Sequence, residues 1–333
     1  MDIKKAVELL KEENVVGMPT ETVYGLAGSI QSENALKKIF QIKGRPFFDP
    51  LIVHVASIEA AKSLVLDWPL AADLLAKKFW PGPLTLVLEK NKNVSNLISS
   101  GLSTVAIRMP NHPVALELIK TFGTPLAAPS ANKFGKTSPT TKAHVESEFK
   151  NDHLKVLEGG PCQIGIESTV LKIQQKHDTT ELAILRAGSI TFSDIKDFLT
   201  LNKVEFSLIE KIDKGQAPGQ MKHHYMPNKP LVLIQDFIEE NDLKIKIKNH
   251  FNQIPDYIES VKIIKPQQIN SFKELLLSDS PEIAARQLYA KLREVSEGPE
   301  DIIFFKIEPW HSGEKWEAFF DRINKAASLI IKS

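Results

Sequence analysis

Met18-Pro19-Thr20-Glu21-Thr22-Val23-Tyr24-Gly25-Leu26 follows the apolar run 15–18. After a helical period come Lys43-Gly44-Arg45-Pro46 and Pro50-Leu51-Ile52-Val53-His54-Val55. An apolar strand, a polar turn, a helix and a second apolar strand are the unit from which α/β proteins are built. Two hydroxyls, a carboxyl and a phenol crowd the turn, and two cations and an imidazole bracket the second strand. A core needs none of these groups, but a site for a small anionic ligand does.

The pattern continues outward. Strands are expected at 15–18, 51–55, 84–88, 104–109, 126–128, 156–157, 169–173 and 183–185. Ser32 is placed to cap a helix carrying Leu36, Ile39 and Phe40, Ser57 to cap the next, and His112-Pro113 opens another. Near the start, Ile3, Val7 and Leu10 mark an amphipathic segment. The connections are irregular in length and no βαβ repeat is visible, so the sequence predicts a mixed, twisted open sheet with helices over residues 1–208. The segment 211–230 holds three prolines and two glycines without apolar periodicity, and 209–230 reads as a linker. A smaller α/β domain over 231–333 is expected to follow: strands at 231–234, 261–264 and 302–307, a helix from Pro281 burying Ile283, Leu288, Leu292 and Val295, and a last helix from Trp316.

The chain has 333 residues, is 42% apolar and 25% charged, and carries a formal net charge of +1. That balance argues against a surface coated in positive charge for duplex binding. The lone Cys162 excludes intramolecular disulfides and a cysteine-based zinc site. A signal-peptide apolar region and a membrane-length apolar run are both missing from the sequence, so a cytoplasmic location and no membrane partner are expected.

No Walker loop occurs, and Gly159, Gly160 and Gly165 do not form a dinucleotide fingerprint. Phosphates would need cations from elsewhere. Lys43 and Arg45 suit them, with Pro46 ending the helix, though the same two residues also complement a helix C-terminus. Arg108 closes the strand 104–109 and offers a planar fork to a carboxylate, or to an internal ion pair. His54 alternates with Val53 and Val55 and reads either as a core histidine or as a ligand. Small residues in Ala128-Pro129-Ser130-Ala131-Asn132 allow close approach to backbone. Each of these is weak alone.

Together they carry a resemblance. Pro19-Thr20-Glu21-Thr22-Val23-Tyr24-Gly25-Leu26, Lys43-Gly44-Arg45-Pro46, Asp49-Pro50-Leu51-Ile52-Val53-His54, Trp80-Pro81-Gly82-Pro83-Leu84-Thr85, Val105-Ala106-Ile107-Arg108-Met109-Pro110, Ala128-Pro129-Ser130-Ala131-Asn132 and Glu167-Ser168-Thr169 stand in the order of the YrdC/Sua5 family. Ala217-Pro218-Gly219 and His224-Tyr225-Met226-Pro227 resemble the linker of its longer, Sua5-type members. The likeness thins towards the C-terminus, where 308–315 lacks the expected glycine-rich turn.

The resemblance implies a YrdC-like catalytic domain and a smaller Rossmann-like C-terminal domain. It implies a nucleotidyltransferase that joins L-threonine, bicarbonate and ATP into threonylcarbamoyl-adenylate and pyrophosphate. The product feeds N6-threonylcarbamoylation of adenosine 37 in tRNA through a downstream transferase, with tRNA contact possible. Threonine would be held by Thr22, His54, Arg108, Ala128 through its backbone, and Ser168. ATP would be held by Lys43, Arg45, Asp49, Thr104, Ser130, Ser138, Arg186, His224 and Tyr225, with Mg²⁺ accompanying it. Lys43, Arg45 and Arg108 would carry the catalytic charge, and the linker would act as a lid. Asp49 stands where the family often has asparagine, so its charge calls for a nearby cation. A reading from another class is a non-catalytic RNA-binding module gripping phosphates with Lys43, Arg45 and Arg108. It lacks support from either a basic excess or an aromatic stacking platform.

Overall fold

The computed structural model describes residues 1–176, 179–209, 215, 218–219, 224–235, 242–243, 245–247, 249 and 271–332. The chain divides into two units, Met1–Phe134 with Ser138–Met221, and Gly135–Thr137 with Lys222–Ser333. Part of the segment read as a linker therefore belongs to the second unit. The expected strand 261–264 lies outside the described residues.

In the first unit the described strands are β1 (Val16–Met18), β2 (Gly25–Ser29), β3 (Ile52–His54), β4 (Leu84–Glu89), β5 (Thr104–Arg108), β6 (Leu126–Ala127), β7 (Thr169–Lys176), β8 (Thr179–Arg186) and β9 (Phe206–Leu208). They form one sheet in the order β1-β2-β6-β3-β5-β4-β7-β8-β9, with three parallel and five antiparallel pairings. The sheet is mixed, as its irregular connections predict. The expected strand 156–157 is reduced to a bridge between Val156 and Gly17. β2 was not foreseen.

Capping places the first helices where their side chains demand. Asp2 accepts from Lys5 N at 2.8 Å at the start of α1 (Ile3–Lys11), and Ser32 accepts from Ala35 N at 3.1 Å at the start of α2 (Glu33–Lys43). Both spare a backbone donor that the helix itself cannot satisfy. Gly44, at φ 61°, ends α2 in the left-handed region that glycine adopts at no steric cost. Leu36, Ile39 and Phe40 of α2 pack with Leu26, Val53, Leu86 and Ile107 in the main core.

The second unit has a four-stranded sheet in the order β11-β12-β10-β13, all parallel: β10 (Leu231–Ile234), β11 (Phe272–Glu274), β12 (Ile302–Lys306) and β13 (Leu329–Ile331). Helices Pro281–Glu297 and Glu314–Ala326 pack on one another. The buried stripe of the first is Ala284, Ala285, Leu288, Tyr289 and Leu292. Ile283 is exposed and Val295 half-buried, contrary to expectation. One residue corresponds to 100° of helix rotation, which carries Ile283 off the face set by 284, 288 and 292. No helix of the described residues is long and apolar enough to cross a membrane.

Strand direction brings the polar residues of the first unit together. Parallel β3 and β5 end side by side, with His54 opposite Arg108. Antiparallel β4 begins at that same end, and Leu84 stands opposite Thr169 at the start of β7. Antiparallel β8 finishes there, with Arg186 opposite Val170. Gly188 lets the chain leave at close quarters, since a Cβ on it would stand 2.2 Å from Thr169 N and 2.6 Å from Ser168 C. Gly188→Ala is therefore expected to destabilise the protein by about 1–3 kcal/mol or more, because main chain rather than a flexible side chain must yield. Thermal unfolding checks this: an unchanged midpoint would show that the turn has slack.

Candidate functional site

Arg108 is the centre of one group. The residue is 3% exposed; Nε donates to Gly82 O at 3.1 Å, Nη1 donates to Thr22 Oγ1 at 2.8 Å, and Nη2 lies 2.7 Å from Glu21 Oε1. The turn bearing Glu21 and Thr22 is shaped by Thr20. Its Oγ1 donates to Val23 O at 2.6 Å and accepts from the backbone N–H groups of Thr22 and Val23, both at 3.2 Å. A short hydroxyl side chain that bonds its own backbone builds such turns. His54 lies beside this group, buried, with Nδ1 lacking a hydrogen-bond partner among the described residues. Burial and then the Arg108 charge push its pKa down to about 3, so the ring is neutral at physiological pH.

A second group lies around the end of α2. Lys43 is buried, and its Nζ donates to the carbonyls of Ser130 and Asn132, both at 2.5 Å. Arg45 lies 2.9 Å from Asp49 Oδ2, and it also donates to the carbonyls of Asp49 and Pro50. The cation that Asp49 called for is thus Arg45. Burial raises the Asp49 pKa against the opposing pull of Arg45, Lys43 and Arg186. Burial, then the charge of Arg45, holds the Lys43 ammonium well below its ordinary value. Arg45, Lys43 and Arg186 thus all act on Asp49 in a water-poor setting, and Lys43 also feels Glu148 and the like charge of Lys133.

Ser168 joins Thr85 to Arg186. Its Oγ lies 2.7 Å from Thr85 Oγ1 and 3.2 Å from Arg186 Nη2, while its carbonyl accepts from Arg186 Nε at 3.1 Å. Ser138, also buried, donates to Glu167 Oε1 at 2.6 Å. Ala128 N is already bonded to Ile52 O. Thr104 is not brought to either group. It opens β5, opposite Glu89, whereas Arg108 closes it, so about 13 Å of strand separates them. His224 and Tyr225 belong to the second unit, where Tyr225 stacks on Tyr289 with ring centroids 5.6 Å apart.

The order of these residues and their arrangement fit known proteins. A family model described as "Telomere recombination", spanning Sua5, YciO and YrdC, matches residues 8–188. The model of the "Threonylcarbamoyl-AMP synthase, C-terminal domain" matches residues 190–328. The chain belongs to the YrdC/Sua5 family. The threonylcarbamoyl-AMP synthase of Pyrococcus abyssi is 37% identical over 304 residues, covering 90% of this chain and 87% of that one. That of Bacillus subtilis is 43% identical over 234 residues, covering 70% and 66%. The crystal structure of P. abyssi Sua5 complexed with L-threonine matches with a TM-score of 0.79 at 32% identity, covering 99% of this chain and 96% of that one.

Within this candidate site, sequence reasoning missed Glu21 as the partner of Arg108, Glu167 as the acceptor of Ser138 and Thr85 as the neighbour of Ser168. A signal existed for the first of these. A buried arginine at a strand end requires a counter-charge, and Glu21 is the one carboxylate of the 18–26 motif. Cys162 is buried, and its thiol is pushed up to about 12 by burial and then by Glu21, so it stays protonated at neutral pH.

His54 generates a pH dependence. Its folded pKa of about 3 lies below the ordinary 6.5, so between those values the unfolded chain holds a proton that the folded chain does not. Stability from this residue is complete above pH 6.5 and falls as the pH drops, amounting to on the order of 2 kcal/mol lost by pH 5. Denaturant unfolding at pH 7 and pH 5 should show this loss in the wild type, reduced by that amount in His54→Asn. Equal losses in both proteins would place the effect elsewhere.

Proposed function

We propose that the protein joins L-threonine, bicarbonate and ATP into threonylcarbamoyl-AMP and pyrophosphate, and that the two buried groups divide the substrates between them. The product supplies the N6-threonylcarbamoyl modification of tRNA through a downstream transferase. The observation that carries the division is the difference in charge. Arg108 is paired with one carboxylate beside a neutral imidazole and a hydroxyl, whereas Lys43, Arg45 and Arg186 all act on Asp49, with Glu148 and the like charge of Lys133 also felt at Lys43.

A single guanidinium suits the carboxylate of threonine. Thr22, His54 and Ser168 complete that half, with the Ala128 backbone beside it. The threonine-bound P. abyssi structure supports threonine as the amino acid. The excess of cations suits a polyphosphate, with Ser130 and Ser138 as further polar contacts. A polyanion arriving there also favours the charged form of Lys43.

The chemistry asks for placement more than for a nucleophile. The amine of threonine and bicarbonate form a carbamate with loss of water. A carbamate oxygen then attacks the α-phosphorus of ATP, and the bond to the bridging oxygen breaks as pyrophosphate leaves. Holding both anions in reach and countering the charge on the leaving pyrophosphate supply the acceleration. Lys43, Arg45 and Arg186 serve the second role. Cys162, protonated and buried, takes no part as a nucleophile. Among the described residues no three histidine, cysteine or carboxylate side chains form a metal-binding group. Mg²⁺ would come with ATP, bound to its phosphates, which is its usual manner of binding with nucleotides.

Pyrophosphate release from ATP and bicarbonate tests the reading. Threonine should support it, serine less well, and valine less by orders of magnitude, because a site that pairs a hydroxyl is left with unpaired groups by its absence. Salt-sensitive tRNA binding without pyrophosphate release would favour the RNA-binding module instead. Arg108→Ala should weaken threonine binding by on the order of 100-fold and ATP binding far less. Calorimetry giving the reverse order would exchange the two halves of the site.

A further inference from the structure

Glu21 remains without a role toward substrate. Its side chain is 4% exposed, Oε1 faces Arg108 Nη2, and neither carboxylate oxygen has a hydrogen-bonding partner among the described residues. Buried carboxylates normally collect several donors, so one ion-pair contact leaves this one undersupplied. Its neighbours do not make up the deficit. Thr20 Oγ1 donates to Val23 O, Thr22 Oγ1 is engaged with Thr20 and Arg108, and Ile164 N donates to the Glu21 backbone carbonyl.

Arg108 shows the complementary surplus. A guanidinium has five N–H donors. Gly82 O and Thr22 Oγ1 take one each, and Nη2, in ion-pair contact with Glu21, makes no hydrogen bond among the described residues, so donors remain on both terminal nitrogens. Two parallel donors are what a bidentate carboxylate takes. In an α-amino acid the ammonium is borne on the carbon next to the carboxylate. A ligand whose carboxylate docks on Arg108 therefore brings three N–H donors to the side of that guanidinium, where Glu21 lacks them.

We propose that Glu21 is the amine-recognition residue of the site: its carboxylate receives the α-ammonium of threonine and selects α-amino acids over other carboxylates. This rests on Arg108 as the anchor of the threonine carboxylate. A residue that only steadied Arg108 would act alike on every carboxylate ligand.

The test compares L-threonine with 3-hydroxybutyrate, which keeps the carboxylate and the hydroxyl and lacks the amine. Binding of each is titrated by calorimetry or ligand-observed NMR to wild type and to Glu21→Gln. The wild type should prefer threonine, and Glu21→Gln should lower that preference by about 10-fold or more, the size of a lost hydrogen bond to a charged group. Its affinity for 3-hydroxybutyrate should stay near the wild-type value. A preference that stays unchanged, whether both ligands weaken equally or neither does, overturns the proposal while leaving the threonine site intact. A wild type that binds neither ligand overturns the functional reading, and this inference with it. Should Glu21→Gln not fold, Glu21→Asp serves the same comparison, since it keeps the charge one methylene short of the amine and should also lower the preference.

Discussion

A buried guanidinium at the end of β5 sets the terms for the surrounding structure. Arg108 cannot be solvated there, so its charge and its donors must be met by protein or by ligand. Meeting them ties three separate parts of the chain to one point. Glu21 and Thr22 bring the turn after β1, and Gly82 brings the loop before β4, whose own N–H returns to Met109 O. Removing one partner of such a buried pair typically costs about 3–5 kcal/mol, because the other charge is left stranded. The turn at 19–22 is thereby held in place by an electrostatic need as well as by its own Thr20 bonds.

The two polar groups differ in how completely the protein answers their charge. Around Arg108 one carboxylate balances one cation, and the neutral imidazole of His54 adds none. Around Lys43 and Arg45 the balance is left positive. Burial strains that imbalance, as the depressed Lys43 and raised Asp49 pKa values both express. In a low-dielectric setting such a surplus is a strong attraction for a multiply charged ligand. Ser168 is bonded to both Thr85 and Arg186.

Much of the frame was legible because local rules decided it. Ser32, Gly44 and the Leu36-Ile39-Phe40 spacing specify α2 without help from elsewhere, and Leu84, Leu86 and Leu88 announce β4 by alternation. β2 was hidden for the opposite reason. Gly25-Leu26-Ala27-Gly28-Ser29 is poor in the branched and aromatic residues that favour strands. Its conformation comes from pairing with β1 on one side and β6 on the other. Small residues suit the close packing there, since a Cβ on Gly25 would come 3.1 Å from that of Ala128, and one on Gly28 would come 3.1 Å from Ile39 Cδ1. The helix from Pro281 stands where its spacing predicts and buries Leu288 and Leu292 as expected, but its stripe continues through Ala284 and leaves Ile283 exposed.

The sequence by itself determined the alternation of strands and helices, the mixed character of the sheet, the kinds of side chain available for chemistry and the likeness to the YrdC/Sua5 family. These depend on spacing along the chain. Only the tertiary structure decided which charges answer one another. Glu21 and Arg108 are far apart in sequence, and their pairing follows from strand order and direction, which local periodicity does not encode. The same holds for Thr104 and Arg108. Alternation assigns both to one face of β5, yet the direction of neighbouring strands puts the polar site at one end only, and Thr104 stands at the other. Coulombic and hydrogen-bond energies depend on distance in space, so the division of this site into a balanced half and a positive half appears only once the sheet is assembled.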